Sequence, residues 1–224
     1  MNDKELVAHA ALNYIEDNMT IGLGTGSTAN YFIDGLANKI KSEDLTINVV
    51  ASSTVSQERA NQAGIKYISI DQVKKIDLYV DGADEITNDL VLLKGRGYDL
   101  IKEKLLASSC SKFIVIADKS KIVAKIGEKF PIPIEITPIA WKITKNIIKK
   151  MSKTCVLRKN TAGDAYAITS YGNFVLDCHI EYDDIRIISK AISEVPGVFE
   201  HGIFYNLPIT ALIADQGNIS QITY

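Results

Sequence analysis

The stretch Ile76–Ala107, IDLYVDGADEITNDLVLLKGRGYDLIKEKLLA, sets the reading of the whole chain. Its opening residues, Ile76 to Val80, are mostly β-branched, aromatic or aliphatic and predict a short buried strand. The strand ends abruptly in Asp81-Gly82-Ala83-Asp84-Glu85, and three carboxylates just past an apolar strand are not there to fill a core. Further on comes Lys94, in the Gly-flanked turn Lys94-Gly95-Arg96-Gly97. A helical pattern over 98–109 then carries Glu103. Carboxylates and an amine gathered past a strand end suit proton transfer on a small polar molecule.

On that helix the residues three and four positions from Glu103 are Asp99, Leu100, Leu106 and Ala107, so its face is largely apolar. A carboxylate partly removed from water is pushed up towards the pKa of a useful general base. The competing reading is a surface glutamate between Lys102 and Lys104.

Upstream, residues 3–18 have the period of an amphipathic helix. Thr20 to Leu23 reads as a strand entering Gly24-Thr25-Gly26-Ser27-Thr28, with a helix beyond it to about Ile40. Strand, glycine turn and helix in that order point backbone N–H groups at an anion. Thr46 to Ala51 reads as the next strand, ending in Ser52-Ser53-Thr54, and a helix to about Ala63 stops at Gly64. Ile65 to Ile70 and Lys112 to Ala117 read as further strands, the latter ending in Asp118-Lys119-Ser120-Lys121. This alternation predicts an α/β fold, a mostly parallel Rossmann-like sheet with helices on both faces. Ligands bind such sheets at the carboxyl ends of the strands. Polar clusters mark four of those ends, at 24–28, 52–54, 81–85 and 118–121.

The grammar changes at Phe130-Pro131-Ile132-Pro133. Strand 131–136, helix 139–151, strands 154–159, 165–169 and 174–179, and helix 183–194 predict a smaller ferredoxin-like α+β (βαββαβ) domain. Strands near 202–205 and 209–214 return to the first sheet. The expected domains are therefore 1–128 with 203–224, and 129–202.

With 224 residues, a net charge of −2 and a pI near 6.0, the chain can bury a sizeable core and has no electrostatic reason to bind nucleic acid. No apolar run has membrane-spanning length, and the charged start MNDKELVAHAAL is not a secretory signal. Cys110, Cys155 and Cys178 lack CxxC spacing and read as free thiols of a cytoplasmic protein. His9, His179 and His201 have no metal-ligand spacing and support neither a zinc site nor a Ser-His-Asp triad.

Gly24 to Ala29 can be forced onto a dinucleotide fingerprint, but the second strand ends in Ala51-Ser52-Ser53-Thr54, without the acid that holds a ribose. No lysine follows the glycines, so the loop is not a P-loop. What remains is a hydroxyl-rich cradle for a phosphate or sugar, or a tight turn with Ser and Thr as helix caps. The 81–85 carboxylates could cap a helix or hold Mg²⁺. Lys94 and Lys121 compete with a cation, which favours a metal-free site.

Gly22 to Ala29, Tyr79 to Glu85, Lys94 to Gly97 and the Glu103 segment resemble the A-type ribose-5-phosphate isomerases. So do Ile116 to Lys121, Phe130 to Glu135, Gly172-Asn173 with Asp177, and Val195 to Val198, in collinear order along nearly the whole chain. The resemblance implies cofactor-free interconversion of D-ribose 5-phosphate and D-ribulose 5-phosphate, in a homodimer or a dimer of dimers. It places the general base on Glu103, with Asp81, Asp84 and Lys94 as further catalytic groups. Substrate contacts fall on Thr25, Gly26, Ser27, Thr28, Asp81, Gly82, Ala83, Asp84, Lys94, Gly95, Arg96, Gly97 and Lys121. Lys4, with Ser27 and Thr28, would hold the phosphate. One departure stands out: the family usually has Gly where this chain has Arg96, and Tyr98 and Asp99 are bulkier than usual. If position 96 needs φ > 0, Arg96 is strained; otherwise its guanidinium adds a contact to substrate or to a loop. The rival function is a sugar-phosphate sensor that binds without chemistry.

Overall fold

A computed structural model describes residues 2–223. In chain order its elements begin with α1 (Asp3–Ala11), β1 (Thr20–Leu23), α2 (Ser27–Glu43), β2 (Asn48–Ala51), α3 (Thr54–Gln62) and β3 (Ile76–Asp81). Next come β4 (Glu85–Ile86), β5 (Leu92–Leu93), α4 (Leu100–Ser109), β6 (Cys110–Asp118) and β7 (Ile132–Ile136). The remainder is α5 (Trp141–Lys149), β8 (Thr154–Leu157), β9 (Phe174–His179), α6 (Ile185–Ser193), β10 (Val198–His201), β11 (Ile203–Phe204), β12 (Ile209–Asp215) and β13 (Asn218–Thr223).

These elements form two compact units. One comprises the chain up to Ala83, Lys102–Lys121 and the segment from Asn206 onward; the other comprises Asp84–Ile101 and Ile122–Tyr205. Segments 84–101, 122–128 and 203–205 thus lie in the second unit, whereas the change of strand and helix pattern at Phe130-Pro131 places them with the first. The pairings explain it: β11 joins β5 and β4 in a small antiparallel sheet, and Ile86 bridges Ile122.

The first unit is a six-stranded sheet ordered β13-β12-β6-β3-β1-β2, parallel except for the antiparallel edge strand β13. Burial is nearly continuous along β3 and β12, as a sheet covered on both faces requires. Phe32, Ile33 and Leu36 of α2 recur at helical spacing and pack with Ile21, Leu23, Val49, Leu78, Val80, Ile114 and Leu212. Asn2 caps α1 by accepting from the Glu5 N–H, and Ser53 caps α3 by accepting from the Ser56 N–H. The order matters for function. β1 has β2 on one side and β3 on the other, so the chain leaves their carboxyl ends in opposite directions. In sheets so ordered, the carboxyl ends of the two strands where the direction reverses, here β1 and β3, are where ligands bind.

The second unit holds an antiparallel sheet ordered β10-β7-β9-β8. With α5 and α6 it makes a βαββαβ unit in the ferredoxin-like order. Its core includes Ile132, Ile134, Ile136, Ile148, Leu176, Cys178 and Ile192.

Two expected strands are not ladders. Residues 65–70 make a single bridge, Val49 to Tyr67, before Ser69 caps a 3₁₀ turn at Ile70–Gln72. Residues 165–169 make only the bridges Tyr166–Lys159 and Ile168–Phe174. There Thr169 folds the chain into a turn: its Oγ1 accepts from the Asn173 N–H at 3.1 Å. Alternating apolar residues predict strand conformation, but a ladder needs a partner edge. The fourth strand of the small sheet is instead β10, just before the expected strand at 202–205.

Candidate active site

In the first unit the site is built around Asp81, the last residue of β3, whose surface is 1% exposed. Its Oδ1 accepts from the N–H of Gly82 at 2.7 Å and of Thr25 at 3.1 Å. Its Oδ2 accepts from the Tyr79 hydroxyl at 2.5 Å. Both oxygens thus have donors, and the carboxylate is held in a fixed direction. A Cβ at Gly24 would land on this carboxylate. The glycine is there because the loop must run against a side chain, not to supply an unusual φ.

Tyr79 is fully buried and stacked on Phe113, with ring centroids 4.7 Å apart. Its phenol is pushed well above the usual range, by burial first and then by the charges of Asp81 and Glu103. It is therefore a permanent donor. That electrostatic coupling also brings Glu103 to the same neighbourhood. Glu103 lies in α4 with 6% of its surface exposed, so the buried reading of this residue holds over the surface one. Tyr79→Phe keeps the stacking and removes one donor from a buried carboxylate. It is expected to cost about 1–3 kcal/mol of stability by urea unfolding and to lower turnover about tenfold, the size of one charged hydrogen bond worth about 1.4 kcal/mol.

The glycine loop divides into two parts. The Thr25 hydroxyl turns inward, within 2.7–2.9 Å of the Ser52, Ser53 and Ser56 hydroxyls, and Ser56 Oγ donates to the Gly24 carbonyl at 2.6 Å. These hydroxyls hold the loop together. Gly26, at φ +116°, precedes α2, and Ser27 opens that helix, exposed. Lys4 Nζ donates to Ser27 Oγ at 3.0 Å. Lys4, Ser27, Tyr31, Asp118 and Ser120 line a cavity of about 600 Å³. Burial pushes the Asp118 carboxyl up, but hydrogen bonds from Ser120 and the charges of Lys121 and Lys4 outweigh it and hold the pKa below its usual value. Lys4, hydrogen-bonded to the first residue of α2, makes a setting for an anion at that helix N-terminus.

In the second unit Asp84 donates its N–H to the Leu93 carbonyl at 2.8 Å and accepts from the Arg96 N–H at 3.4 Å. Lys94 is 4% exposed, and its ammonium lies 5.9 Å from the centre of the Phe204 ring. Its N–H donates to the Gly202 carbonyl at 2.9 Å. A Cβ at Gly202 would meet the Lys94 carbonyl and Pro133. Gly95 has φ +96°, whereas Arg96 does not have a positive φ. Arg96 is thus not strained, and its guanidinium sits 4.1 Å from the Phe130 ring centre, a loop contact made through cation–π attraction.

Glu85 departs from the expected pattern. It is wholly buried and accepts from the N–H groups of Gly127, Lys129 and Phe130 at 2.6, 2.6 and 2.8 Å. The third carboxylate of the cluster therefore anchors a turn. Sequence reasoning also passed over Tyr79, Ser56 and Arg158. Arg158 pairs with Asp177 and donates to the Gly95, Arg96 and Gly97 carbonyls. The alternation of Tyr79 with Asp81 along one strand face was the signal available for the first of these. For the other two there was none.

Residues 48–218 match the family model described as ribose 5-phosphate isomerase A (phosphoriboisomerase A). The ribose-5-phosphate isomerase A of Prochlorococcus marinus is 39% identical over 213 residues, covering 94% of this chain and 92% of that protein. The one from Thermococcus kodakarensis is 37% identical over 222 residues, covering 98% and 96%. Among solved structures, the ribose 5-phosphate isomerase A of Methanocaldococcus jannaschii superposes with a TM-score of 0.94 at 35% identity, covering 99% of this chain and 98% of that one. A D-ribose-5-phosphate isomerase in complex with phospho-erythronic acid superposes with a TM-score of 0.95 at 36% identity over the full length of both chains. On this evidence the chain belongs to the ribose 5-phosphate isomerase A family.

Proposed function

We propose that this protein interconverts D-ribose 5-phosphate and D-ribulose 5-phosphate, in the non-oxidative branch of the pentose phosphate pathway. The observation that carries this is a buried Glu103 in α4 beside a rigidly held Asp81 at the end of β3, both of whose charges act on the Tyr79 phenol, in a chain of this family. Family likeness and chemistry together assign the roles. The phosphate is held by Lys4, Ser27, Thr28 and the N–H groups at the start of α2, with Lys121 adding charge. Asp81, assisted by Lys94, takes and returns a hydroxyl proton as the furanose opens. Glu103 removes the proton from C2 of the open aldose and delivers it to C1. Lys94, Asp84 and the backbone of 26–28, 82–83 and 95–97 stabilise the enediolate between those steps.

No metal or cofactor enters this scheme. Asp81 and Glu85 already accept from donors within the protein, which suits a metal-free site. Three free cysteines suit a reducing cytoplasm. A homodimer, or a dimer of dimers, would cover exposed apolar side chains such as Ile139, Ile143, Ile187 and Phe199.

The test is incubation with ribose 5-phosphate in D₂O. Ribulose 5-phosphate should appear, with deuterium entering the sugar carbon-bound positions; a sensor would return the sugar unlabelled and unconverted. Lys4→Met should raise KM about tenfold with kcat changed less than threefold, the pattern of uniform binding lost. A fall in kcat with KM unchanged would move Lys4 from binding to chemistry.

A further inference from the structure

Arg158 follows β8, and Asp177 lies in β9, its neighbouring strand. The two form a two-pronged ion pair: Nε to Oδ2 at 2.9 Å and Nη2 to Oδ1 at 2.5 Å. Their side chains are only 12% and 24% exposed. The remaining nitrogen, Nη1, faces three successive carbonyls, those of Gly95 at 2.9 Å, Gly97 at 3.2 Å and Arg96 at 3.4 Å. Each side chain is thus fixed by the other, and together they fix a turn more than sixty residues upstream.

Gathering three carbonyls around one cation has a consequence on the other side of the turn. No described peptide bond is cis, and in a trans unit the C=O and the following N–H point in opposite directions. With the carbonyls of 95, 96 and 97 turned to Arg158, the N–H groups of 96, 97 and 98 are turned away from it. The Arg96 N–H reaches towards Asp84 in keeping with this. Successive N–H groups on one side of a turn form a concavity for negative charge. The positive charge behind the carbonyls also polarises those same peptide units in the direction that strengthens their donors. Without it, three carbonyl dipoles crowded together would repel, and the turn would open.

We propose that Arg158, clamped by Asp177, is a positioning residue for isomerisation, aligning the 95–97 turn so that its backbone N–H groups meet the oxygens that become negative in the enediolate. This rests on the isomerase reading, and within it assigns how the turn is held. Lysine cannot replace this arginine, because a single ammonium cannot grip a carboxylate through two nitrogens and still serve three carbonyls.

The experiment compares wild type with Arg158→Lys in the full-length protein. Five quantities are measured: kcat and KM for ribose 5-phosphate, affinity for phospho-erythronic acid, inhibition by inorganic phosphate, and the thermal midpoint. The acid carries a planar two-oxygen anion, like the enediolate. For Arg158→Lys the expected result is a fall of about 10² in kcat/KM, the cost of a small misalignment, with a parallel loss of affinity for the acid. Inhibition by phosphate should change less than twofold. In Arg158→Ala, millimolar guanidinium should recover part of kcat. If Arg158→Lys does not fold, Asp177→Asn, which frees the clamp and leaves the guanidinium, takes its place with the same readouts. Turnover within twofold of wild type overturns the proposal. So does a loss shared equally by phosphate and the acid, which would mark a general structural role. Wild-type activity is read first: its absence overturns the isomerase reading and this one together, whereas an active wild type with an unaffected variant overturns only the role of Arg158.

Discussion

Glu103→Gln is expected to lower kcat by about 10²–10⁴, the usual contribution of a positioned general base, with KM changed less than about threefold. The amide fills the same buried slot in α4, where the residue is 6% exposed, so packing and substrate binding are kept. What is lost is the ability to accept a proton. Because the interaction is made only as the proton moves, the loss should fall on kcat. Deuterium uptake from D₂O should fall in step, since it reports the same transfer. Steady-state kinetics and isotope exchange on one preparation settle it: a Gln variant with near wild-type turnover would falsify the assignment of Glu103 as the base.

Gly24→Ala should be nearly as damaging, for a different reason. The added methyl would occupy the place of the Asp81 carboxylate. The backbone there cannot give way: the Gly24 N–H donates to the Val80 carbonyl at 2.8 Å, and the Gly24 carbonyl accepts from Ser56 Oγ at 2.6 Å. Asp81 must therefore swing out, losing its partners Tyr79, Thr25 and Gly82. A fall of at least about 10² in kcat/KM is expected, as for other small displacements of a reacting group. Overpacking should also cost about 1–3 kcal/mol by urea unfolding. Full activity in the alanine variant would show that Asp81 need not occupy its observed position.

Much of this was legible in the chain itself. Helices and strands announced themselves through apolar spacing and through stops such as Gly64, because those signals are local. The alternation of strands with helices was enough to expect a parallel sheet, whereas the apolar neighbours of Glu103 left two readings open, between which its burial decided. Legibility failed where a residue's role depends on a distant partner. Residues 165–169 have the alternation of a strand, yet their neighbours give them only isolated bridges. Thr25 looked like a ligand contact, yet its hydroxyl is engaged by three serines. Glu85 looked like one of three carboxylates with no place in a core, yet it is wholly buried and three turn amides surround it.

Composition and periodicity by themselves determined the kind of fold, and the Asp81–Glu103 stretch determined the family, because both depend on residues close together in the chain. Only the tertiary structure decided which carboxylates are anchors, why Arg96 is unstrained, and that Arg158 and Asp177 hold the turn at 95–97. Those are questions of direction. A hydrogen bond is set by where two groups point after folding, and linear order carries no record of that.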